Sequence, residues 1–344
     1  MSKNILWTGS HGFIAGYAIN KLLDEGHHVW GIDNFWKYGE MKKTYDDHPH
    51  FHFFQHDAKD TEFLQKIIME NNIHIFVCGA AIIGGISMFH ELAYFLLREN
   101  ELLTAAAFDA CLFAKENTTF FEKIVVISSS MVFESTDTWP SKETDVRIIP
   151  PPLSTYGFQK LATEYWAQGA WEQHKLPYTI IRPFNAIGVG EKRAKLETDC
   201  YSGNIKLAMS HVVPDIIQKI LKGQYPLRIL GEGDQIRHYT YAGDLANGFY
   251  ECILNPSALN TDFNISTPIG HTVLELAKII WNKINPEKEF QYEIDVPFTY
   301  DVQKRIPDIT KSKEILNVEC NTSIEEALDE IIPWIKTQIE LGGI

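Results

Sequence analysis

Apolar residues along the first half of the chain form short continuous runs, which are separated by longer stretches with helical spacing. The short runs predict β-strands at residues 5–7, 28–32, 52–55, 73–78, 124–128 and 178–182. The longer stretches predict helices at residues 13–25, 61–71, 93–115 and 156–174. Strands that alternate with helices favour a doubly wound α/β fold, with a parallel sheet covered on both faces. Ligand sites in such sheets lie beyond the carboxyl ends of the strands.

The pattern changes after Asn185. Glycine and polar residues dominate positions 188–203, and an apolar helix at 211–221 and a short strand at 227–230 follow. A final helix at 324–341 begins after a capping cluster at 321–323. We therefore expect a parallel Rossmann domain at residues 1–185, with a returning segment near 236–266. A smaller mixed α/β domain for substrate binding should be formed mainly by residues 186–344.

Composition narrows the function classes. The chain has 344 residues and a formal net charge of −14, which argues against a nucleic-acid partner because phosphate binding needs a basic face. No apolar run reaches membrane-spanning length, and the N-terminus shows no signal segment, so we expect a cytoplasmic protein with no membrane partner. The five cysteines form no C-x-x-C pair, which favours reduced thiols and no metal site.

A glycine-rich turn joins the first predicted strand to the first predicted helix. Gly9 permits a tight turn, Gly12 lets the backbone approach a pyrophosphate, and the helix N-terminus faces the anion. The second strand ends at Asp33, an acid placed to hydrogen-bond the adenosine ribose. Because an acid there repels a 2′-phosphate, the sequence predicts NAD rather than NADP. Asp57, at the end of the third strand, either reaches the adenine or caps the next helix.

A second cluster of reactive side chains lies near the fifth strand. Residues 128–130 are three serines at its end, and Tyr156 and Lys160 lie four residues apart on the helix that follows. Four-residue spacing puts the ammonium beside the phenol, and a cation there favours the phenolate. Such a tyrosine can take a proton from a hydroxyl while hydride leaves the same carbon. A serine at the strand end can hydrogen-bond the reacting oxygen.

Four motifs of the chain match those of one family. They are TGSHGFIA after the first strand, residues 78–81 at the end of the fourth strand, the Y-x-x-x-K pair, and Arg182-Pro183-Phe184-Asn185. On these residues the chain resembles, over nearly its whole length, the extended short-chain dehydrogenase/reductases, specifically the NAD-dependent nucleotide-sugar epimerases and dehydratases. The expected cofactor contacts are Gly9, His11, Gly12, Phe13, Ile14, Asp33, Asn34, Asp57, Ala58, Ala80, Ala81, Asn100, Tyr156 and Lys160.

The resemblance also implies a catalytic serine and a substrate site. It makes Ser129 the catalytic serine and leaves Ser130 to the substrate or to the structure. The segment around Gly85 resembles a loop of the GDP-sugar members. The remaining expected contacts to a nucleotide-diphosphate sugar are Asn185, Val212, Arg237 and Arg305, with the two arginines on the diphosphate because guanidinium geometry suits phosphate oxygens.

One departure from the family narrows the expected reaction. Family dehydratases and decarboxylases usually carry a glutamate just after the catalytic serine or threonine, whereas this chain has Ser130 and Met131. We therefore expect 4-epimerisation through a 4-keto sugar. A 4-dehydrogenase that stops at the keto sugar and a dehydratase remain alternatives. A dehydrogenase of a small metabolite or a non-catalytic NAD-binding protein is disfavoured by Arg237 and by the Ser–Tyr–Lys set.

The predicted helices at 93–115 and 156–174 are long and carry many small and apolar residues. Family members pair these helices across a two-fold axis, so the resemblance implies a homodimer.

Overall fold

The computed structural model describes residues 2–83, 91–192, 200–207, 211–296 and 302–342. Its strands are β1 (Asn4–Thr8), β2 (His28–Asp33), β3 (Phe51–Gln55), β4 (Ile75–Cys78), β5 (Lys123–Ile127), β6 (Tyr178–Pro183), β7 (Ala186–Ile187), β8 (Cys200–Ser202), β9 (Ile205–Leu207), β10 (Leu227–Leu230), β11 (Ile236–Arg237), β12 (Thr240–Tyr241), β13 (Thr261–Ile265), β14 (His271–Thr272), β15 (Tyr292–Asp295) and β16 (Lys304–Arg305). Its helices are α1 (Phe13–Asp24), α2 (Thr61–Glu70), α3 (Ala93–Asn117), α4 (Thr155–His174), α5 (Val212–Leu221), α6 (Ala242–Leu254), α7 (Val273–Ile284), α8 (Thr310–Leu316) and α9 (Ile324–Glu340).

A seven-stranded sheet with the order β13-β6-β5-β4-β1-β2-β3 forms the centre of the protein. Every pair of neighbouring strands in it is parallel. The expected doubly wound α/β fold is therefore confirmed. The strand order reverses between β1 and β4, and the carboxyl ends there border a crevice, which is where ligands bind in open α/β sheets.

Two apolar cores cover the two faces of the sheet. Helices α1 and α6 pack on one face, and α2, α3 and α4 pack on the other. Buried side chains of the first core include Trp7, Ile19, Leu22, Phe249 and Phe263. Buried side chains of the second core include Leu6, Leu64, Phe76, Phe108 and Ala167. In the residues that the structure describes, no helix is long and apolar enough to cross a membrane.

The seventh strand, β13, comes from the returning part of the chain. It pairs with β6, and its buried Phe263 and Ile265 join the core. Polar residues alternate with them: Asp262 pairs with an arginine, and Asn264 donates to the backbone oxygens of Ser141 and Asp308. The sequence pattern of a buried parallel strand is a continuous apolar run. Asp262 and Asn264 interrupt such a run in β13, because their side chains bind other groups inside the protein.

The second half of the chain forms a third apolar core, which is separate from the two cores on the faces of the sheet. Helices α5, α7 and α9 contribute its buried side chains, which include Ile217, Ile220, Leu276, Trp281, Leu328 and Ile331. The short strands pair as β10–β15, β14-β11-β16 and β12–β7. In the second of these sheets Arg237 and Arg305 are direct partners in the register. The predicted capping cluster is a capping box, in which Ser323 and Glu326 exchange hydrogen bonds at the start of α9.

Strand β5 ends at Ile127, one residue before the predicted end, and this shift places the three serines outside the sheet. Ser130 begins a single 3-10 turn, Ser130–Phe133, and Ser129 caps it by accepting a hydrogen bond from the N–H of Met131 at 3.2 Å. Ser128 donates instead to Glu164 of α4. Ser128 therefore anchors α4 to the strand end, while Ser129 and Ser130 form the start of the turn that follows β5.

A buried ion pair lies beneath this strand end. Arg182 of β6 donates two hydrogen bonds to Glu164, at 2.7 and 2.6 Å, and both side chains are about 1% exposed. Its Nη2 also lies 2.7 Å from Asp262. Burial opposes the charge of Arg182, but the two carboxylates outweigh it and raise its pKa. These contacts join α4 to β6 and β13, the two strands at one edge of the sheet.

Replacing this arginine should destabilise the protein strongly. In Arg182→Met the two carboxylates lose their common partner, and breaking a buried pair in this way costs about 3–5 kcal/mol of unfolding free energy. Urea denaturation followed by circular dichroism measures the change. Lys3→Met is the matched control, because the Lys3–Glu122 pair is partly exposed and such pairs contribute about 0–1 kcal/mol. Equal losses in the two variants would contradict the structural role of Arg182.

Candidate active site

The glycine-rich turn lies between β1 and the first turn of α1. Gly9 has φ +74°, a conformation that favours glycine, and a Cβ there would lie 2.8 Å from Cα of Ala80. Gly12 occupies the N-cap position of α1, where no side chain caps the helix. The free N–H groups of the first turn therefore face the crevice, as a diphosphate site requires.

A loop after β2 supports this turn from behind. The hydroxyl of Tyr45 donates to the backbone oxygen of Ser10, and Lys43 donates to that of Gly12 at 3.1 Å. His11 lies 3.2 Å from Asp46. Burial lowers the pKa of Lys43 to about 8, and burial also lowers the pKa of His11 despite the nearby carboxylates. No sequence motif identifies these supporting residues, because they lie in a loop about thirty positions away.

Asp33 lies at the carboxyl end of β2, on the wall of the crevice. One carboxylate oxygen accepts from the N–H of His11 at 2.9 Å, and the other accepts from the N–H of Phe35 at 2.8 Å. These bonds fix the orientation of the carboxylate beside the glycine turn. The expected neighbours Phe13, Ile14 and Asn34 line the same space.

The segments after β3, next to β2, and after β4, next to β1, also border the cavity. Asp57, Ala58, Ala80 and Ala81 line the cavity. Asp60, rather than Asp57, caps α2 by accepting from the N–H of Phe63 at 3.0 Å, so the helix-cap alternative for Asp57 is wrong.

Asn100 lies apart from the expected cofactor contacts. It is buried in α3, outside the cavity lining, and its amide bonds both backbone groups of Ile82, at 2.7 and 3.0 Å. Any effect of Asn100 on the cofactor therefore acts through Ile82, which does line the cavity.

The Ser–Tyr–Lys set comes together at the end of β5. Ser129, Tyr156 and Lys160 line one cavity, and each side chain is less than 10% exposed. Ser154 caps α4 and accepts from the N–H of Gly157 at 3.0 Å, which places Tyr156 in the first helical turn. Lys160, one turn later, donates to the backbone oxygen of Ile127 at 2.9 Å. The lysine therefore joins the helix to the strand that carries the serine.

The expected substrate residues in the described ranges line the same cavity. This cavity is about 1120 Å³, and its lining includes Ser130, Asn185, Val212, Arg237 and Arg305. Asn185 has a positive φ of 34° and donates to the backbone oxygen of His238 at 3.3 Å. Arg237 donates to the backbone oxygens of Ile236 and Gln303, at 2.9 and 3.3 Å. Two arginines on paired strands thus line the cavity, and backbone oxygens hold the guanidinium of Arg237 in place.

Gly85 lies outside the described residues. The cavity also carries polar side chains that the sequence motifs do not identify, among them Glu134, Glu191, His211 and Arg228. They lie outside the motifs, Arg228 in β10 and His211 at the N-cap of α5, so only the fold shows that they line the same cavity. Within the described ranges, no group of three His, Cys, Asp or Glu side chains has an arrangement that could hold a metal ion.

The crevice accommodates NAD on the evidence of its own geometry. A Cβ would fill the space at Gly9, the start of α1 offers N–H groups, and Asp33 offers a fixed acceptor one strand away. These are the three parts of a dinucleotide site.

Comparison with known proteins agrees with this geometry. The model of the "NAD dependent epimerase/dehydratase family" matches residues 5–266. UDP-glucuronic acid decarboxylase 1 of Danio rerio is 24% identical over 98% of this chain and 74% of its own length. UDP-glucuronate 4-epimerase of Thermodesulfobacterium geofontis is 26% identical over 98% of this chain and 97% of its own. The crystal structure of UDP-glucose 4-epimerase from Thermotoga maritima with UDP-glucose is 26% identical, covers 98% of this chain and 99% of that chain, and gives a TM-score of 0.79.

Replacement of Gly9 tests the cofactor site. Gly9→Ala should weaken NAD binding at least tenfold, because the new Cβ collides with the backbone of Ala80 as well as straining a positive φ. Calorimetric titration with NAD measures the loss. Gly26→Ala is the matched control, since Gly26 has a similar φ of +81° but no atom within 4 Å of the added Cβ. Unchanged NAD affinity in Gly9→Ala would show that the cofactor binds elsewhere.

Proposed function

Because the chain belongs to the NAD-dependent epimerase/dehydratase family, we propose that it catalyses oxidation and reduction at C4 of a nucleotide-diphosphate sugar. The proposed outcome is 4-epimerisation through a 4-keto intermediate. The observation that carries the proposal is the convergence of Ser129, Tyr156 and Lys160 with a cofactor crevice and a pair of arginines in one cavity. Relatives that act on UDP-sugars support the substrate class.

The roles of the side chains follow from their positions. Bound NAD supplies the acceptor and donor of hydride. Tyr156 removes the proton of the 4-hydroxyl, and Lys160 stabilises the phenolate from one helical turn away. Ser129 donates a hydrogen bond to the C4 oxygen, where negative charge develops. Arg237 and Arg305 hold the diphosphate, which leaves the sugar free to present its other face before reduction.

The side chains after Ser129 favour epimerisation over lyase chemistry. Loss of water or of carbon dioxide from a nucleotide sugar requires additional proton transfers, which a carboxylate beside the serine supplies in family dehydratases. Here Ser130 and Met131 occupy those positions, both buried on the cavity wall. A serine hydroxyl and a methionine thioether cannot replace a carboxylate as a proton donor and acceptor near neutral pH.

The product identifies the reaction. Mass spectrometry and chromatography of products from UDP-, GDP- and dTDP-sugars should show the 4-epimer and no 4-keto-6-deoxy sugar. Tyr156→Phe should lower the rate by about 10²–10⁴ with nearly intact substrate binding, because it removes the proton acceptor but keeps the ring. Ser129→Ala, which removes one hydrogen bond, should lose less. A 4-keto-6-deoxy product from the unmodified enzyme would replace the epimerase proposal by the dehydratase one.

We propose further that the enzyme is a homodimer, formed through α3 and α4. These helices pack against each other and carry exposed apolar side chains on their outer faces, which include Leu102, Phe113, Phe158, Tyr165 and Trp166. Exposed apolar patches of this kind mark protein interfaces. A second copy of the same two helices would cover the patch in an isologous four-helix arrangement.

Charge placed in this patch should dissociate the dimer. Tyr165 is 60% exposed, so Tyr165→Glu should leave the fold intact and convert the protein to a monomer in light scattering at micromolar concentration. Leu259→Glu is the control, because Leu259 is 46% exposed and lies outside both helices. A monomeric mass for the unmodified protein would refute the dimer.

A further inference from the structure

Glu134 is a cavity-lining carboxylate that the proposed C4 chemistry does not use. It follows directly the 3-10 turn Ser130–Phe133, which begins after Ser129. Its Oε2 accepts two hydrogen bonds from Ser154, from the N–H at 3.1 Å and from the hydroxyl at 2.6 Å. Ser154 is the N-cap of α4, whose first turn carries Tyr156. The carboxylate therefore lies between the two segments that supply the serine and the tyrosine.

Glu134 packs closely against the first turn of α4. A Cβ on Gly157 would lie 2.8 Å from Oε2 of Glu134 and 2.9 Å from the backbone oxygen of Met131. Position 157 therefore has no room for a side chain between the Glu134 carboxylate and the helix backbone. Glu134 lines the cavity next to the first turn of α4, which carries Tyr156, so it borders the space where the proposed chemistry at C4 takes place.

Glu134 has no cationic partner among the residues that the structure describes. Throughout the described residues it makes no ion pair, and its second oxygen, Oε1, carries no hydrogen bond. The nearest basic member of the catalytic set, Lys160, directs its ammonium to the backbone oxygen of Ile127. A partly buried carboxylate without a cationic partner accepts hydrogen bonds from hydroxyl or N–H groups, and it repels a second carboxylate.

We propose that Glu134 selects the sugar: it accepts a hydrogen bond from a neutral hexose or amino sugar and discriminates against a hexuronate. The inference rests on the proposed function and narrows its substrate class. It separates this chain from those relatives whose names specify UDP-glucuronate as substrate. The discrimination depends on the charge of Glu134, whereas the clamp on Ser154 depends only on an acceptor oxygen.

Two ligands that differ only in the oxidation state of C6 test the selection. Calorimetry of the NAD-loaded enzyme with UDP-glucose and UDP-glucuronate, and with the GDP and dTDP pairs, should show glucose binding at least tenfold more tightly. Glu134→Gln keeps an oxygen for Ser154 and removes the charge, so this ratio should fall to within about threefold. Tenfold corresponds to about 1.4 kcal/mol of like-charge repulsion.

Two control variants separate charge from packing. Ser154→Ala removes the clamp but keeps the carboxylate, and it should retain the preference for glucose. Glu314→Gln removes the same charge from the exposed surface of α8 and should also retain it. Thermal melting shows whether each variant is folded.

Equal affinity of the unmodified enzyme for the two sugars would overturn the selection by Glu134. An unchanged ratio in folded Glu134→Gln would overturn it too, while C4 turnover in either experiment would leave the proposed function standing. Failure of every nucleotide sugar to bind would instead overturn the proposed function, and the selection with it.

Discussion

The buried pair between Arg182 and Glu164 is the interaction on which the active-site geometry depends. Tyr156, Lys160 and Glu164 follow one another at intervals of four along the same face of α4. Glu164 is held by the arginine of β6 and by the hydroxyl of Ser128, while Lys160 is held by the backbone oxygen of Ile127. Two successive contacts thus join the helix to the end of β5. Tyr156, the third member of the row, is left facing the space that Ser129 borders.

The benefit of burying Arg182 and Glu164 is that their hydrogen bonds orient α4. Removing Arg182 and Glu164 from water is costly, and an apolar pair of similar size would often be as stable. An apolar pair, however, would not set the rotation of α4 about its axis, whereas the two-pronged hydrogen bond of a guanidinium to a carboxylate does. A small rotation of the helix would move the phenol of Tyr156 relative to Ser129. Under the proposed function, these directional contacts therefore hold the proposed base in position as well as stabilising the fold.

The sequence points to the glycine turn and to Asp33 because each of them has a local reason. Gly9 is needed where the backbone of Ala80 approaches, and Asp33 must end a strand to reach its neighbour's turn. Such requirements leave fixed spacings in the chain. Lys43 and Tyr45, which support the turn from behind, show no such spacing, because they donate hydrogen bonds to backbone oxygens far away in the sequence. Nothing in their local pattern distinguishes them from an ordinary polar loop.

Glu134 illustrates the same limit at the substrate end. Its sequence position, shortly after the serines, indicates no role, because its partner Ser154 lies twenty residues later in the chain. Only the folded structure brings its carboxylate to Ser154 at the start of α4. In the proposed function, Tyr156 and Lys160 carry out the step at C4, which needs only a base and a nearby cation. Other cavity-lining side chains such as Glu134 would then be free to differ, so that substrate choice could change without disturbing the helix that holds the base.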